Sequence, residues 1–219
     1  MKSVPPFVII GVLAFVLSYF AQASPTSKPQ ANLLSPEALI ALSDGLPVVF
    51  VWYDKSRANK ALDVFAAIDI DAAPETIWRV MTDCSYAKKI VADMTYCKVL
   101  ETAADGSWDI RKQKVKVGFL LPKGISIFRS DYDKPHTIKI SLVGGNMKIL
   151  EGVWELSPLP NSKTRVTYSA LSLPKFPVPK GLLKRAVRHD VPVILTNLRM
   201  QSQREQGLVM PVNPSEVIP

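Results

Sequence analysis

The sequence predicts an α+β protein in which a curved antiparallel sheet wraps around a long C-terminal helix, with two short helices after the first long strand. Three observations predict it. Short alternating segments separated by turn residues run from 96 to 173, as in antiparallel strands. Two short helical patterns precede them, and apolar residues recur at helical spacing over 181–206. The sheet needs a cover for one face, and only the last helix is large enough.

The N-terminus has the pattern of a signal peptide. Lys2 supplies a positive charge, "VPPFVIIGVLAFVLSYF" is almost wholly apolar, and Ala21 and Ala23 form the small-residue pattern that precedes a signal-peptidase cut. We therefore predict a signal peptide over 1–23. The alternative is an uncleaved membrane anchor, because the apolar run is near the length that spans a bilayer.

Both alternatives export the rest of the chain, and the bacterial periplasm is the expected compartment. A Ser- and Pro-rich linker is predicted over 24–34, one domain over 35–206 and a disordered or loosely packed tail over 207–219. The formal net charge of +8 could favour acidic lipid headgroups, so contact with a membrane surface is a further expectation. Nucleic acid is not expected, because no basic run with interleaved aromatics occurs. The oligomeric state is not predicted.

The chain has two cysteines, Cys84 and Cys97. In an oxidising compartment such a pair is most simply a disulfide. A metal site would need further ligands, and the only histidines, His136 and His189, are far along the chain and apart from each other. A C-x-x-C redox spacing is absent. We predict a structural bridge between a helix and the following strand, which restricts the unfolded chain by roughly 3 kcal/mol.

The first elements are a helix and two strands. "SPEALIALSDG" predicts a short helix capped by Ser35, with Pro36 at its first position and an end at Gly45. "PVVFVWYD" predicts a strand. "KALDVFAAIDIDA" predicts a second strand, in which the alternation from Val64 to Ile70 marks one buried face.

The remaining elements complete the pattern. "APETIWRVMTD" and "CSYAKKIVADM" predict the two short helices. About six strands follow, separated by turn signals such as Asp105-Gly106 and Lys134-Pro135. In the closing helix Pro192 should cause a kink or a break.

Several segments resemble the START-like, Bet v 1-like superfamily, in particular its polyketide cyclase/dehydrase and coenzyme Q-binding branch. The opening strand, turn and helix pair of that family match Ala73, Pro74, Trp78, Val80 and Asp83. "GVWELSPLPNSKTRVTYSA" is similar to its late hairpin and "PVPKGLLKRAVRHDVPVILTNLR" to its closing helix. The family often has a proline where this chain has "ADM", so the end of the second helix should differ.

The resemblance implies a helix-grip fold with a hydrophobic cavity between the sheet and the C-terminal helix. Members bind or carry lipids, sterols, quinones or polyketides, and a minority catalyse cyclisation. The expected function is therefore binding or carriage of a hydrophobic or amphipathic small molecule, with a polyketide cyclase/dehydrase-like enzyme as the alternative.

"DIRKQKVKV" places polar residues on both faces of one strand. If its lysines point outward, Arg111 and Gln113 face the cavity, where Arg111 could hold a carboxylate or phosphate headgroup. The alternative is that this face is simply solvated. The full set of ligand-binding candidates is Arg111, Gln113, Arg129, Tyr132, Tyr168, Val187, Val191 and Ile194.

Evidence for catalysis in the sequence is weak. His136 lies in a turn, His189 and Asp190 lie in the basic part of the last helix, and no hydrolase, metalloprotease, P-loop or dinucleotide motif occurs. Trp78 is interpreted as a core residue of the first short helix. We expect no catalytic residue, no metal and no cofactor.

Overall fold

The structure, a computed structural model, describes residues 34–58, 60–116 and 123–207. The predicted signal peptide, nearly all of the predicted linker and the predicted tail beyond 207 lie outside the described residues. The elements are α1 (Pro36–Ser43), β1 (Val48–Tyr53), β2 (Leu62–Ile70), α2 (Pro74–Thr82), α3 (Cys84–Ile90), β3 (Met94–Thr102), β4 (Trp108–Val115), β5 (Gly124–Asp133), β6 (Thr137–Gly145), β7 (Met147–Pro158), β8 (Thr164–Pro174) and α4 (Lys180–Glu205).

The strands form one antiparallel sheet in the order β1-β2-β8-β7-β6-β5-β4-β3. The predicted six-strand meander is β3 to β8, and its last strand returns to pair with β2. After β2 the chain crosses through α2 and α3 to the far edge, so β1 and β3 are the two edge strands. The predicted fold class is confirmed.

The C-terminal helix α4 covers one face of the sheet, here called the inner face. Leu195 and Leu198 of α4 are fully or almost fully buried in one cluster with Ile68 of β2 and Ile77 of α2. The helix continues past Pro192, so the predicted break does not occur there. Among the described residues, no helix has the length and apolar character needed to cross a membrane.

Strand β2 is buried on both faces. All nine of its residues are buried, although the alternation in the sequence predicted one buried face. The predicted face is buried, and the opposite, outer face is buried as well because α1 covers it: Leu42 of α1 forms a cluster with Phe65 and Ala67 of β2. The Ser35 cap of α1 is present as predicted, since its hydroxyl accepts from the Ala38 amide at 3.3 Å.

The junction between α2 and α3 is a single residue, Asp83. Its side chain accepts from the Ser85 amide at 2.8 Å and caps α3. The next residue, Cys84, forms a disulfide with Cys97 of β3, with the Cα atoms 5.5 Å apart. The predicted bridge is confirmed, and it ties the first residue of α3 to the edge strand.

Candidate functional site

A cavity of about 270 Å³ lies between the inner face of the sheet, the α2–α3 pair and α4. This is close to the lower end of the range for small-molecule sites, roughly 300–1,000 Å³. Most of its lining is apolar and comes from all three layers. The apolar lining includes Val80, Met81, Ile90, Phe128, Ile138, Ile140, Leu150, Ile194 and Leu198.

The polar side chains of the cavity come mainly from β4 and β5. Alternate residues of a strand share a face, so Arg111 and Gln113 of β4 both point inward. Gln113 is opposite Ser126 of β5, and Arg111 is opposite Phe128. Ser130 and Tyr132 continue the same face of β5.

Asp109, Arg111 and Tyr132 form a hydrogen-bonded cluster in this wall. Asp109 accepts from Arg111 Nε at 3.0 Å and from a second guanidinium nitrogen, Nη2, in a bidentate ion pair. The Tyr132 hydroxyl accepts from Arg111 Nη2 at 2.7 Å and donates to Asp109 at 2.6 Å. Nη2 also contacts the carbonyl of Thr82 at 3.2 Å.

The cluster is buried and its charges compensate each other. Asp109 and Arg111 are each only 5% exposed. Burial on its own would lower the pKa of Arg111, but the hydrogen bonds and charge of Asp109 and Tyr132 raise it above its ordinary value. Burial raises the pKa of Tyr132 despite the nearby Arg111 charge. The wall therefore offers hydrogen bonds without net charge.

Aromatic pairs hold the two tyrosines of the cavity. Tyr132 packs edge-on against Trp78 with ring centroids 5.4 Å apart, and Tyr168 stacks on Trp154 at 4.1 Å. Desolvation raises the pKa of Tyr168 to about 12. The absence of a side chain at Gly152 leaves room for the Tyr168 ring, since a Cβ at position 152 would lie 3.1 Å from Tyr168 Cε2.

The disulfide is part of the cavity wall. Cys84 and Cys97 both line the cavity, beside Gln113. At the other end of α3, the side chain of Asn197 on α4 donates to the carbonyl of Ile90 at 3.0 Å. Helix α3 is thus attached at its first residue to β3 and at its last residue to α4.

The structure brings five of the eight sequence-predicted ligand-binding candidates to the cavity. Those five are Arg111, Gln113, Tyr132, Tyr168 and Ile194. Whether they contact a ligand stays a prediction. Arg111 is already paired with Asp109, a partner that the sequence analysis did not include.

Arg129 does not face the cavity. It lies three residues before Tyr132 on β5, and an odd separation along a regular strand puts two side chains on opposite faces. Arg129 instead forms an ion pair with Asp131 at 2.7 Å and lies 4.2 Å above the Trp108 ring.

The two valines of α4 also lie away from the cavity lining. Val191 packs against the main core cluster, and Val187 packs against Val51, Leu62 and Val64 of β1 and β2. Val187 thus contacts the β1–β2 edge of the sheet, whereas Ile194 reaches the cavity.

Sequence reasoning missed Asp109, the partner of Arg111. The signal was present, because residues two apart on a strand share a face and an acid stands two residues before the inward arginine. Trp78 is buried, as interpreted from the sequence. His136 and His189 are exposed, and His189 lies 2.9 Å from the carboxylate of Asp190.

Solved structures of similar fold come from bacteria and humans. The STAR-related lipid transfer protein from Xanthomonas axonopodis is 15% identical, with a TM-score of 0.62 over 72% of this chain and 93% of that one. The Zhui aromatase/cyclase from Streptomyces is 14% identical, with a TM-score of 0.56 over 71% and 98%. Human StAR-related lipid transfer protein 5 is 10% identical, with a TM-score of 0.58 over 74% and 84%.

At these identities the likeness shows the fold, which is the START-type helix-grip fold expected from the resemblance. No curated protein matches this chain in sequence. The family model "Polyketide cyclase / dehydrase and lipid transport" matches residues 70–199, which is more than half of the chain and spans α2 to the second half of α4. The protein belongs to the polyketide cyclase / dehydrase and lipid transport family.

Proposed function

We propose that this protein is an exported carrier that binds a hydrophobic or amphipathic small molecule between the sheet and α4. The observation that carries the proposal is the cavity: apolar side chains from three layers surround it, and one wall holds the charge-compensated Asp109–Arg111–Tyr132 cluster. Concave, mostly apolar sites with a few fixed polar groups are the usual form of small-molecule sites.

The cluster favours a ligand with a neutral polar end. The Nε and Nη2 atoms of Arg111 already donate to Asp109, Tyr132 and the Thr82 carbonyl. A carboxylate or phosphate would have to displace Asp109 or lie beside it in a buried site, and like charges there are costly. A carbonyl or hydroxyl, such as that of a quinone, a sterol or a neutral lipid, could hydrogen-bond to the cluster or to Gln113 without that cost.

Export to the bacterial periplasm is part of the proposal. It rests on the apolar N-terminal segment and the A-x-A pattern. The Cys84–Cys97 disulfide supports it, because such bridges persist in oxidising compartments. A retained N-terminal anchor is the alternative, and it would place the same domain at the outer surface of the inner membrane.

An enzyme of the cyclase type is the second candidate, and one observation favours it. Arg111 and Tyr132 face the cavity, where a phenol and a guanidinium could polarise a substrate carbonyl. A general acid or base works best when its pKa is near the operating pH, and the raised pKa of Tyr132 moves it away from neutrality. Binding is therefore the better-supported function.

Native mass spectrometry of the protein from the bacterial periplasm tests the proposal. We expect a lipid-like species that is released on denaturation and carries no charged headgroup. N-terminal sequencing of the same sample should begin at Ser24. An empty protein that also takes up nothing from a total lipid extract would contradict a carrier function. Conversion of a bound species, lost in Tyr132→Phe with binding retained, would favour the enzyme.

A further inference from the structure

The outer face of β3 and β4 carries a row of lysines. On β4, Lys112 and Lys114 alternate with the inward Arg111 and Gln113, so both lysines lie on the face turned away from the cavity. Lys98 of β3 pairs directly with Lys112, and Tyr96 of β3 pairs with Lys114. We call Lys98, Lys112 and Lys114 the lysine row.

The row is an unfavourable arrangement for the folded chain alone. Like charges directly opposite each other on neighbouring strands are destabilising, and Lys98 and Lys112 are such a pair. Within the described residues, none of the three lysines forms an ion pair. Lys114 instead lies over the Tyr96 ring, 5.1 Å from its centroid.

Protection of the sheet edge explains only one of the three lysines. Lysines on edge strands hinder pairing with other chains, and Lys98 lies on the edge strand β3. Lys112 and Lys114 lie on β4, which is paired on both sides by β3 and β5. Edge protection therefore does not account for their placement.

Apolar side chains lie beside the lysine row. Ile127 of β5 pairs with Lys112 and Ile125 pairs with Lys114, and each lies on the outer face because Ser126 between them lines the cavity. Helix α1 packs over β1 and β2 at the opposite edge of the sheet. Half-buried isoleucines thus stand next to half-buried lysines, whose stems can cover apolar surface while their charges reach solvent.

We propose that this lysine row, with Tyr96, Ile125 and Ile127, docks on the surface of an anionic phospholipid membrane. Lysines attract acidic headgroups by about 1 kcal/mol each near the surface, and apolar and aromatic side chains favour the interfacial region. A nucleic acid would use the charges but not the isoleucines. The inner side of β4 is the cavity wall, so docking here leaves only the sheet itself between the cavity and the membrane.

Vesicle flotation with the processed protein tests the proposal. The probes are vesicles of phosphatidylcholine alone and vesicles that also contain phosphatidylglycerol. We expect binding to the anionic vesicles, weakened by added salt because screening shortens the reach of the charges. The variant Lys112→Glu/Lys114→Glu should bind them about tenfold or more weakly. Its fold should be retained, since the carboxylate introduced at position 112 would face Lys98 as an opposite charge.

The matched control is Lys55→Glu/Arg185→Glu, which changes the net charge equally. Lys55 lies in the loop after the opposite edge strand β1, and Arg185 lies on α4. We expect this variant to bind almost as the wild type does. An equal loss in both variants would show attraction by net charge alone and overturn the proposal, as would equal binding to neutral and anionic vesicles. A lipid that still co-purifies in either case would leave the proposed carrier function intact.

Discussion

Asp109 and Arg111, two residues apart on β4, form a bidentate ion pair that is almost completely buried. The Tyr132 hydroxyl is hydrogen-bonded to both partners. Two buried charges are tolerated when they compensate each other, whereas one left alone is costly. We therefore expect the pair to govern the stability of this wall and, if the proposed ligand binds here, the kind of polar group that it can present.

Replacing one partner of the Asp109–Arg111 pair should lower the stability of the protein much more than replacing both. We expect Asp109→Asn to lower the free energy of unfolding by about 3 kcal/mol, because it leaves the Arg111 charge uncompensated. The double variant Asp109→Asn/Arg111→Met should recover most of that loss. Urea denaturation of Asp109→Asn, Arg111→Met and the double variant measures the coupling between the two residues. Strict additivity of the three values would contradict a coupled buried pair.

A methyl group at Gly152 should disturb the cavity. The new Cβ would lie 3.1 Å from the Tyr168 ring and 3.2 Å from the Ser169 carbonyl oxygen. We expect Gly152→Ala to cost about 1–3 kcal/mol and to shift Tyr168, so that less ligand co-purifies. Gly144→Ala is the control, because its Cβ would meet only Ile127, at 3.7 Å. Equal ligand occupancy in the two variants would show that Tyr168 does not shape the site.

Loss of the disulfide should lower the stability of the protein and speed the dissociation of a bound ligand. The variant Cys84→Ser/Cys97→Ser should lower the free energy of unfolding by about 3 kcal/mol, because without the bridge the unfolded chain regains the conformational freedom of the closed loop. Because the bridge fixes the first turn of α3 in the cavity wall, bound ligand should also dissociate faster. Wild type treated with a reductant should behave in the same way, and unchanged ligand dissociation in both samples would contradict a role in retention.

Alkaline pH should unfold the protein partly through Tyr168. Its folded pKa of about 12 exceeds the unfolded value of about 10. Between these values the unfolded chain has already lost the proton, so stability is fully present below pH about 10 and falls as pH rises towards 12. Tyr168→Phe removes this contribution. The slope of unfolding free energy against pH should be shallower in that variant, and identical slopes would show that Tyr168 does not titrate as described.

The fold could be predicted because its signals are local. The turn at Asp105-Gly106, the alternation in β4 to β8 and the apolar stripe of α4 each depend on near neighbours in sequence. Cys84 and Cys97 could be paired because they are the only cysteines in the chain. The burial of both faces of β2 could not be predicted, since it depends on where α1 packs.

The candidate site was predictable only in part. The inward direction of Arg111 and Gln113 follows from strand alternation, but the pairing of Arg111 with Asp109 depends on side-chain rotamers and on the position of Tyr132 one strand away. Val187 and Val191 share an apolar stripe with Ile194, and periodicity does not distinguish a side chain packed in the core from one that lines the cavity.

The most direct test of a ligand in this cavity is a substitution on β5 whose large side chain fills the cavity. Ser126 lines the cavity, and its neighbour Ile127 lies on the outer face of β5. Native mass spectrometry of Ser126→Phe and Ile127→Phe, prepared in parallel, measures the bound ligand. We predict that Ser126→Phe loses the ligand while Ile127→Phe keeps it, with folded protein in both samples. Full ligand occupancy in Ser126→Phe would contradict binding between the sheet and α4.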